Sequence, residues 1–451
     1  MATTVLRNAA FIATMDDHDT LHRDASIRIV DGRIDAIGAD DEITGHADET
    51  IDASGHILIP GLVNTHHHFY QTLTRNLPAG QNSNLFNWLV AHYPIWARMD
   101  AGSIDVSTRI AIAELMLSGC TTAADHTYIW PNDARVDDQI HAAREMGFRF
   151  HAARGSMSVG QSRGGLPPDH AVEAEDFILS DSQRVIETYH DDRAGAMTRI
   201  VLAPCSPFSV STDLMRETAK MARHYGVHLH THLAETLDEE HYCRELFGQT
   251  PVEYAEANDW VGDDVWFAHM VHPHEAEIAR LGAHRCGVAH CPSSNMRLAS
   301  GVAPVKALQA AGARVGLGVD GSASNDSSHM LSEARQAMLL QRLQNGPDAL
   351  SATEALRLAT RGGAEVLGRN DIGQLAVGMA ADIVGYRLDS LPLAGGAVHD
   401  PLAALVFCLP PRVDLSLING RLRVHRGHLL GVDIPQLVAR HNAAATALIN
   451  G

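Results

Sequence analysis

The sequence predicts an α/β protein: a (β/α)8 TIM barrel with a small β-sandwich domain formed from both chain termini. Between about residues 60 and 368, short apolar runs alternate with longer helical patterns, which is typical of βα units around a parallel sheet. On both sides of this segment, strand and turn patterns dominate. The length of 451 residues exceeds one ordinary core but fits one large barrel with a smaller domain.

The two ends of the chain are predicted to form the sandwich together. Residues 1–59 supply its N-terminal part, and residues 369–451 supply its C-terminal part and a closing helix that begins after an N-cap at Asp433. The strand patterns lie at residues 5–15, 25–30, 33–37, 381–386 and 415–424. Asp31-Gly32 is a hairpin signal between two of these strands.

Eight strand candidates lie in or at the edge of the predicted barrel segment, residues 60–368. They are residues 58–64, 120–125, 148–153, 200–205, 227–233, 265–269, 287–290 and 315–320. Eight strands separated by helices close into a barrel whose chemistry lies at the C-terminal ends of the strands. Polar side chains that follow these strands are therefore expected to be neighbours in space.

Composition restricts the partners. Lys plus Arg 35 against Asp plus Glu 54 gives a net charge of −19, which disfavours nucleic acid and anionic membranes as partners. The six cysteines are scattered without a C-x-x-C pair, as expected for reduced thiols in a cytoplasmic protein. The sequence has no evident signal peptide and no apolar run near the roughly 20 residues that span a bilayer. Large barrel enzymes commonly associate, so a homo-oligomer is also an expectation.

A metal site is predicted where the first barrel strand ends in His66-His67-His68. Side chains at i and i+2 of a strand share a face, so His66 and His68 converge while His67 points away. A surface histidine run is the alternative, but this run directly follows an apolar strand. Two imidazoles on one face can hold a divalent metal.

The fifth and eighth strands are expected to complete the ligand set. The fifth carries His228, His230 and His232 on one face, about 6.5 Å apart along the strand, so only one is expected to reach the metal. His232 is the predicted ligand because it is nearest the C-terminal end, and the other two are predicted to be inward-facing layer residues. The eighth strand ends in Asp320. Three imidazoles and a carboxylate suit zinc.

Several motifs together resemble the amidohydrolase superfamily, in the branch with guanine, 8-oxoguanine and S-adenosylhomocysteine deaminases and triazine hydrolases. They are Pro60-Gly61 leading to His66-x-His68, His230-x-His232-x-x-Glu235, Ala268-His269, His290-Cys291-Pro292-Ser293-Ser294-Asn295 and Asp320-Gly321-Ser322-Ala323-Ser324-Asn325. The resemblance implies one metal bound by His66, His68, His232 and Asp320. The fourth strand ends without the bridging Lys of binuclear relatives. Zinc is expected, and iron is the alternative.

The predicted mechanism is hydrolytic deamination. A bound metal lowers the pKa of water toward neutrality. Asp320 is the candidate to accept the proton from that water, and Glu235 to protonate a ring nitrogen and then the leaving amine. His269 is expected to hydrogen-bond the attacking water or to polarise the tetrahedral centre. The segment His290 to Asn295 is predicted to be a structural turn that supports the site.

The predicted substrate is a heterocycle. Gln71 matches a ring-contacting position in similar deaminases, and an amide can both donate to and accept from a purine edge. Arg154 and Cys205 are further substrate candidates, with an internal ion pair and simple packing as their alternatives. Pro207-Phe208 stands where guanine deaminases have Arg-Phe, and the sequence most resembles the 8-oxoguanine deaminase group, whose reaction gives urate and ammonia.

Three alternative functions are compatible with the sequence. A triazine hydrolase would displace chloride or an alkylamine, although Glu235 and His269 favour a route that protonates a ring and an amine. An S-adenosylhomocysteine or guanine-type deaminase is the second, and the former would need a cation for the amino-acid tail. A catalytically silent barrel scaffold is the third, and the intact ligand set argues against it.

Overall fold

The computed structural model describes residues 2–450, and these residues form nineteen strands. The strands are β1 (Thr3–Ala13), β2 (Leu21–Val30), β3 (Arg33–Ala39), β4 (Glu49–Asp52), β5 (His56–Pro60), β6 (Leu62–Asn64), β7 (His67–His68), β8 (Cys120–Thr127), β9 (Arg149–Ser156), β10 (Thr198–Pro204), β11 (His228–Leu233), β12 (Val265–His269), β13 (Gly287–His290), β14 (Arg314–Leu317), β15 (Asp320–Gly321), β16 (Ile383–Arg387), β17 (Leu415–Ile418), β18 (Arg421–His425) and β19 (His428–Leu429).

Sixteen α-helices are found in the same part of the chain. They are α1 (Leu85–Trp96), α2 (Ala101–Ser118), α3 (Val136–Met146), α4 (Glu175–Tyr189), α5 (Thr212–Tyr225), α6 (Leu237–Phe247), α7 (Pro251–Ala257), α8 (Glu275–Ala283), α9 (Pro292–Arg297), α10 (Val305–Ala311), α11 (Met330–Asn345), α12 (Ala352–Arg357), α13 (Gly363–Val366), α14 (Gly396–His399), α15 (Pro401–Phe407) and α16 (Ile434–Asn450). None of the helices in residues 2–450 combines the length and apolar character that crossing a membrane requires.

Eight parallel strands form a closed barrel, which confirms the predicted fold class. Their order around the barrel is β6, β8, β9, β10, β11, β12, β13 and β14, and β14 pairs with β6 to close it. Helices cover the outside, and the main hydrophobic cluster lies largely between them and the strands. Each of the eight strand candidates from the sequence contributes one barrel strand. The barrel places the C-terminal ends of all eight strands at one rim.

The strands from both termini form one continuous sheet beside the barrel. Its order is β19, β18, β17, β16, β5, β1, β2 and β3, with β4 paired to β1. The N-terminal and C-terminal halves meet where β5 pairs antiparallel with β16. Asp31 and Gly32 join β2 to β3 with φ of 48° and 79°, as a two-residue hairpin turn of positive φ requires. This sheet has its own apolar core.

The first strand predicted from sequence, residues 58–64, is two strands in the structure. β5 belongs to the terminal sheet, and β6 belongs to the barrel. Gly61 separates them, and a Cβ at this position would lie 2.1 Å from Thr121 Oγ1. The chain therefore changes sheets at a residue that has no room for a side chain.

A buried ion pair connects the barrel floor to the C-terminal segment. Arg149, at the start of β9, donates from Nε and Nη2 to the two carboxylate oxygens of Asp382 at 2.8 Å each. Its Nη1 donates to the carbonyls of Gly195 and Ala196. Asp382 also accepts the backbone N–H of Asn419, at the turn before β18. The pair is fully enclosed, so it couples the two parts of the fold.

Candidate metal centre and active-site pocket

The predicted metal ligands meet at the C-terminal rim of the barrel. His66 follows β6, and His68 lies in the short strand β7. β7 pairs in parallel with β15, which begins at Asp320. The sequence placed Asp320 at the end of the eighth strand, whereas that strand ends at Leu317 and the chain reaches Asp320 through a break in pairing. The added β7–β15 pair brings Asp320 beside His66 and His68.

The separations between donor atoms suit one tetrahedral ion. Asp320 Oδ1 lies 3.3 Å from His66 Nε2 and 3.2 Å from His68 Nε2. His68 Nε2 lies 3.2 Å from His232 Nε2. Donors that bind one tetrahedral zinc at about 2.0–2.1 Å stand about 3.3 Å from one another. The structure thus brings together the four side chains that the sequence singled out.

The imidazoles are oriented so that their Nε2 atoms point to a common centre. His68 Nδ1 donates to the carbonyl of His126 at 2.6 Å, and His232 Nδ1 donates to the carbonyl of Cys205 at 2.6 Å. A neutral imidazole with a proton on Nδ1 carries its lone pair on Nε2. Burial lowers the pKa of His232 to about 3 and holds the pKa of His66 well below its ordinary value. The rings of His66 and His232 are therefore neutral, and each can donate a lone pair to a metal.

One orphaned atom supports a metal at this centre. His66 Nε2 is buried and has no hydrogen-bond partner among the described residues. Leaving such an atom unpaired is unfavourable unless something binds it. With Asp320 and the other two Nε2 atoms next to it, the donor set is three nitrogens and one oxygen, which fits a divalent metal.

Glu235 and His269 lie against this centre. His269 ends β12 with φ of 73°, and its Nε2 is 3.5 Å from Glu235 Oε2 and 3.9 Å from Asp320 Oδ2. His269 Nδ1 donates to Asn295 Oδ1 at 2.9 Å, which fixes the ring. Burial raises the pKa of Glu235, against the opposing effect of His269. The carboxyl therefore keeps its proton to a higher pH than an ordinary glutamate does, which suits a proton donor.

Glu239, which was not predicted from the sequence to be a site residue, holds the loop that carries Glu235. Its carboxylate accepts the backbone N–H groups of Ala234 and Glu235 at 3.0 and 2.9 Å. Burial raises the pKa of Glu239 to about 7. The pattern Thr236-x-x-Glu239 at a helix start is a capping-box signal that could have drawn attention to it. Glu239 instead reaches back to the preceding loop.

A cleft opens over the metal centre. Its lining combines predicted metal ligands, the acid–base candidates Glu235 and His269, and a largely apolar wall. These residues are His68, Gln71, Leu85, Trp88, Leu89, Tyr93, Tyr128, Cys205, Ser206, Phe208, His232, Glu235, His269, Leu298, Asp320 and Ser324. None of these lining residues is Lys or Arg. The cleft therefore offers no Lys or Arg side chain to an anionic ligand.

Gln71 and Cys205, two of the substrate candidates, line this cleft. Both polar atoms of the Gln71 amide are buried and without a partner among the described residues. The side chain fits because residue 321 is glycine: a Cβ there would lie 1.8 Å from Gln71 Oε1. Burial raises the pKa of the Cys205 thiol to about 12, so it is a neutral group. An amide with a free donor and a free acceptor is available to a ligand.

Arg154, the third substrate candidate, does not line the cleft, and this expectation needs correction. Its guanidinium donates to both carboxylate oxygens of Glu173, to Asp181 and to the carbonyl of Gly155. It is a buried ion-pair partner, the alternative that the sequence left open. Arg154 lies on β9, and sequence position alone could not decide whether its long side chain faces the rim or a neighbouring carboxylate.

The wall formed by α1 was not anticipated from the sequence. Leu85, Trp88, Leu89 and Tyr93 line the cleft and occupy positions i, i+3, i+4 and i+8 of the helix. This spacing places them on one helical face. Trp88 Nε1 donates to the carbonyl of Ala323, which ties α1 to the loop that follows Asp320. The apolar spacing was visible in the sequence, but what it would face was not.

The fold and these residues define a class of protein: barrel enzymes that use a divalent metal for hydrolysis. A family model described as "Amidohydrolase family" matches residues 57–423. The chain belongs to the amidohydrolase family, and the resemblance inferred from its motifs is confirmed.

Individual relatives are similar over their whole length. The chain is 48% identical to an 8-oxoguanine deaminase from Pseudomonas aeruginosa, covering 100% of both chains. It is 38% identical to a hydroxydechloroatrazine ethylaminohydrolase from Pseudomonas sp. strain ADP, covering 100% of this chain and 97% of that one. Among solved structures, it matches a zinc complex of an atrazine chlorohydrolase from Arthrobacter aurescens TC1 with a TM-score of 0.93 and 36% identity, covering 98% and 100% of the two chains.

Proposed function

We propose that this enzyme is a metal-dependent deaminase that converts 8-oxoguanine and water to urate and ammonia. The observation that carries the proposal is the cleft, in which Glu235 and the unpartnered amide of Gln71 lie beside the converging donors of the metal centre. Full-length similarity to an 8-oxoguanine deaminase supports the same substrate. A hydrolase acting on a C–N bond is the activity that the family and this arrangement have in common.

The residues proposed to hold the metal are His66, His68, His232 and Asp320. Zinc is the proposed ion, supported by the donor set and by the zinc complex of a related structure. When bound, a divalent metal lowers the pKa of water toward neutrality, which makes hydroxide available at pH 7. Metal analysis of the purified protein distinguishes zinc from iron.

Three side chains are proposed to accept, donate or hydrogen-bond during the reaction. Asp320 takes the proton that water gives up as its oxygen bonds to the carbon bearing the amino group. Glu235, whose pKa is raised by burial, donates its proton to the adjacent ring nitrogen. The ionised Glu235 then takes the proton of the new hydroxyl group and passes it to the amino group, so that the C–N bond breaks as the C=O bond forms and ammonia leaves. The proton held by Asp320 returns to Glu235 and restores the starting state of both carboxyl groups. His269, held by Asn295, hydrogen-bonds the oxygen at the tetrahedral centre.

The lining of the cleft favours a purine base over the alternatives with charged tails. Gln71 offers one donor and one acceptor to a purine edge. Because no Lys or Arg of residues 2–450 lines the cleft, neither side-chain type is there to pair with the carboxylate of an S-adenosylhomocysteine tail. Cys205 and Ser206 provide neutral polar groups near His232. A triazine hydrolase remains the comparison of most interest, since the solved relative above has that activity.

The test is an assay of ammonia release from 8-oxoguanine, guanine, S-adenosylhomocysteine and an aminotriazine, with urate followed by its absorbance. We expect 8-oxoguanine to have the highest kcat/KM. Glu235→Gln is the control for contaminating activity, because its turnover should fall at least about a hundredfold with every substrate. Turnover of the triazine without any purine would contradict the proposed substrate.

A further inference from the structure

The imidazole of His66 has a different kind of hydrogen-bond partner from the other two imidazoles of the candidate metal centre. His68 and His232 each donate from Nδ1 to a backbone carbonyl. Within the described part of the chain, His66 Nδ1 contacts no such carbonyl and lies 2.7 Å from Nε2 of His230. His230 lies on β11, two residues before His232 and on the same face of the strand.

The orientation of His230 is itself determined by Trp266. His230 Nδ1 lies 3.0 Å from the carbonyl oxygen of Trp266, and the two rings stack with centroids 4.5 Å apart. Because a carbonyl only accepts, the proton of His230 is on Nδ1 and its Nε2 carries a lone pair. That lone pair can only accept from His66 Nδ1. A continuous chain of donors therefore runs from His66 through His230 to the carbonyl of Trp266.

A competing explanation is that His230 is itself a metal ligand, since it groups with His66 and His126 as a possible donor set. The distance argues against it. Two nitrogens that share a tetrahedral ion at about 2.0–2.1 Å stand about 3.3 Å apart. The 2.7 Å between His66 Nδ1 and His230 Nε2 is that of a hydrogen bond.

We propose that His230 is a positioning residue that holds His66 in the tautomer with its lone pair on Nε2. Without an acceptor at Nδ1, the proton of a neutral imidazole can move to Nε2, which then has no lone pair for a metal. The hydrogen bond also makes Nε2 a stronger donor. The inference rests on the proposed metal centre but not on the identity of the substrate.

The experiment compares four variants by zinc affinity. His230→Phe fills the space of the imidazole but has no hydrogen-bond acceptor. His230→Asn supplies a polar group near the position of Nδ1 but none near the position of Nε2. His230→Gln places an amide oxygen near the position of Nε2. His228→Phe is the matched control, because His228 lies on the same strand and face but one layer further from the rim. Zinc dissociation constants come from chelator competition, and the absorption spectrum of the cobalt(II) protein reports the ligand field.

We expect His230→Phe and His230→Asn to bind zinc about 10- to 100-fold more weakly and to change the cobalt spectrum. His230→Gln should keep the zinc affinity within about threefold of wild type, and His228→Phe should match wild type, since neither removes the acceptor. If His230→Phe does not fold, the Asn and Gln pair carries the same comparison.

Unchanged zinc affinity in both His230→Phe and His230→Asn would overturn the inference, and so would an equal loss in His230→Gln. An equal loss in His228→Phe would do the same, because packing would then explain the effect. These outcomes are separable from the proposed function. A wild-type protein that binds no zinc contradicts the metal centre, whereas zinc binding without purine turnover contradicts only the substrate.

Discussion

Breaking the ion pair between Arg149 and Asp382 should destabilise the fold strongly. Both side chains are essentially unexposed, at 0% and 2%. Replacing Asp382 with Leu leaves a buried guanidinium that keeps two carbonyl acceptors and the more distant charge of Asp371 but loses its bidentate carboxylate partner. Removing one partner of a buried pair costs about 3–5 kcal/mol of unfolding free energy. The double variant Arg149→Met/Asp382→Leu should recover a large part of this loss, because it leaves no uncompensated charge.

The expected shift in melting temperature follows from chain length. At about 2.1 cal/mol/K per residue, 451 residues have an unfolding entropy near 1 kcal/mol/K, so the single variant should melt about 3–5 °C lower. Differential scanning calorimetry measures the shift. The matched control is the surface pair of Arg193 and Asp191, which has the same 2.8 Å bidentate geometry but an 83% exposed guanidinium. Its loss should change stability by less than about 1 kcal/mol.

Two results would refute this reasoning. One is an Asp382→Leu protein that melts within about 1 °C of wild type, which would mean that the buried charge is relieved in another way. The other is a double variant no more stable than Asp382→Leu, which would mean that the two side chains do not act on one another. Because the pair lies at the floor of the barrel, zinc content should be unchanged in every folded variant.

Four further predictions concern the candidate active site. Asp320→Asn should lower kcat by at least about a thousandfold while the circular dichroism spectrum stays the same, and near-normal ammonia release would contradict its role. Glu235→Gln should lower kcat by about 10²–10⁴-fold, measured as urate formation from 8-oxoguanine. Burial raises the pKa of Glu235, so the carboxyl loses its proton only as the pH rises through that raised value. The kcat/KM of the wild-type enzyme should therefore fall on the alkaline side of its pH profile. The residual activity of Glu235→Gln should lack this alkaline fall. Removing the metal with a chelator should abolish activity and lower the melting temperature, and about one equivalent of zinc should restore both.

Much of the site could be predicted because the barrel rule converts sequence position into spatial position. His66, His68 and His232 each come at or just after the end of a strand candidate, and all strand ends lie at one rim. For the same reason Glu235 and His269 were expected beside them. The prediction needed only the strand pattern and residue types that bind metals or carry protons.

Side chains whose role depends on a distant partner were not predictable in the same way. Arg154 follows the end of a strand candidate, as a rim residue would, but its guanidinium forms ion pairs with Glu173 and Asp181. His230 was expected only to fill a layer of the barrel, yet it contacts His66, which is 164 residues away in the chain. Periodicity specifies which face a side chain occupies, and it contains no information on what stands opposite.

The sequence by itself determined the alternation of strands and helices, the pairing of β-rich ends and the types of residue available at the rim. Those properties depend on local patterns of apolar spacing and turn chemistry, which a single chain segment carries. Only the tertiary structure decided the break after Leu317 that carries Asp320 to β7, the orientation of each imidazole and the occupants of the cleft wall. These depend on contacts between segments far apart in the chain, where differences of a few tenths of an ångström separate a hydrogen bond from a shared metal ion.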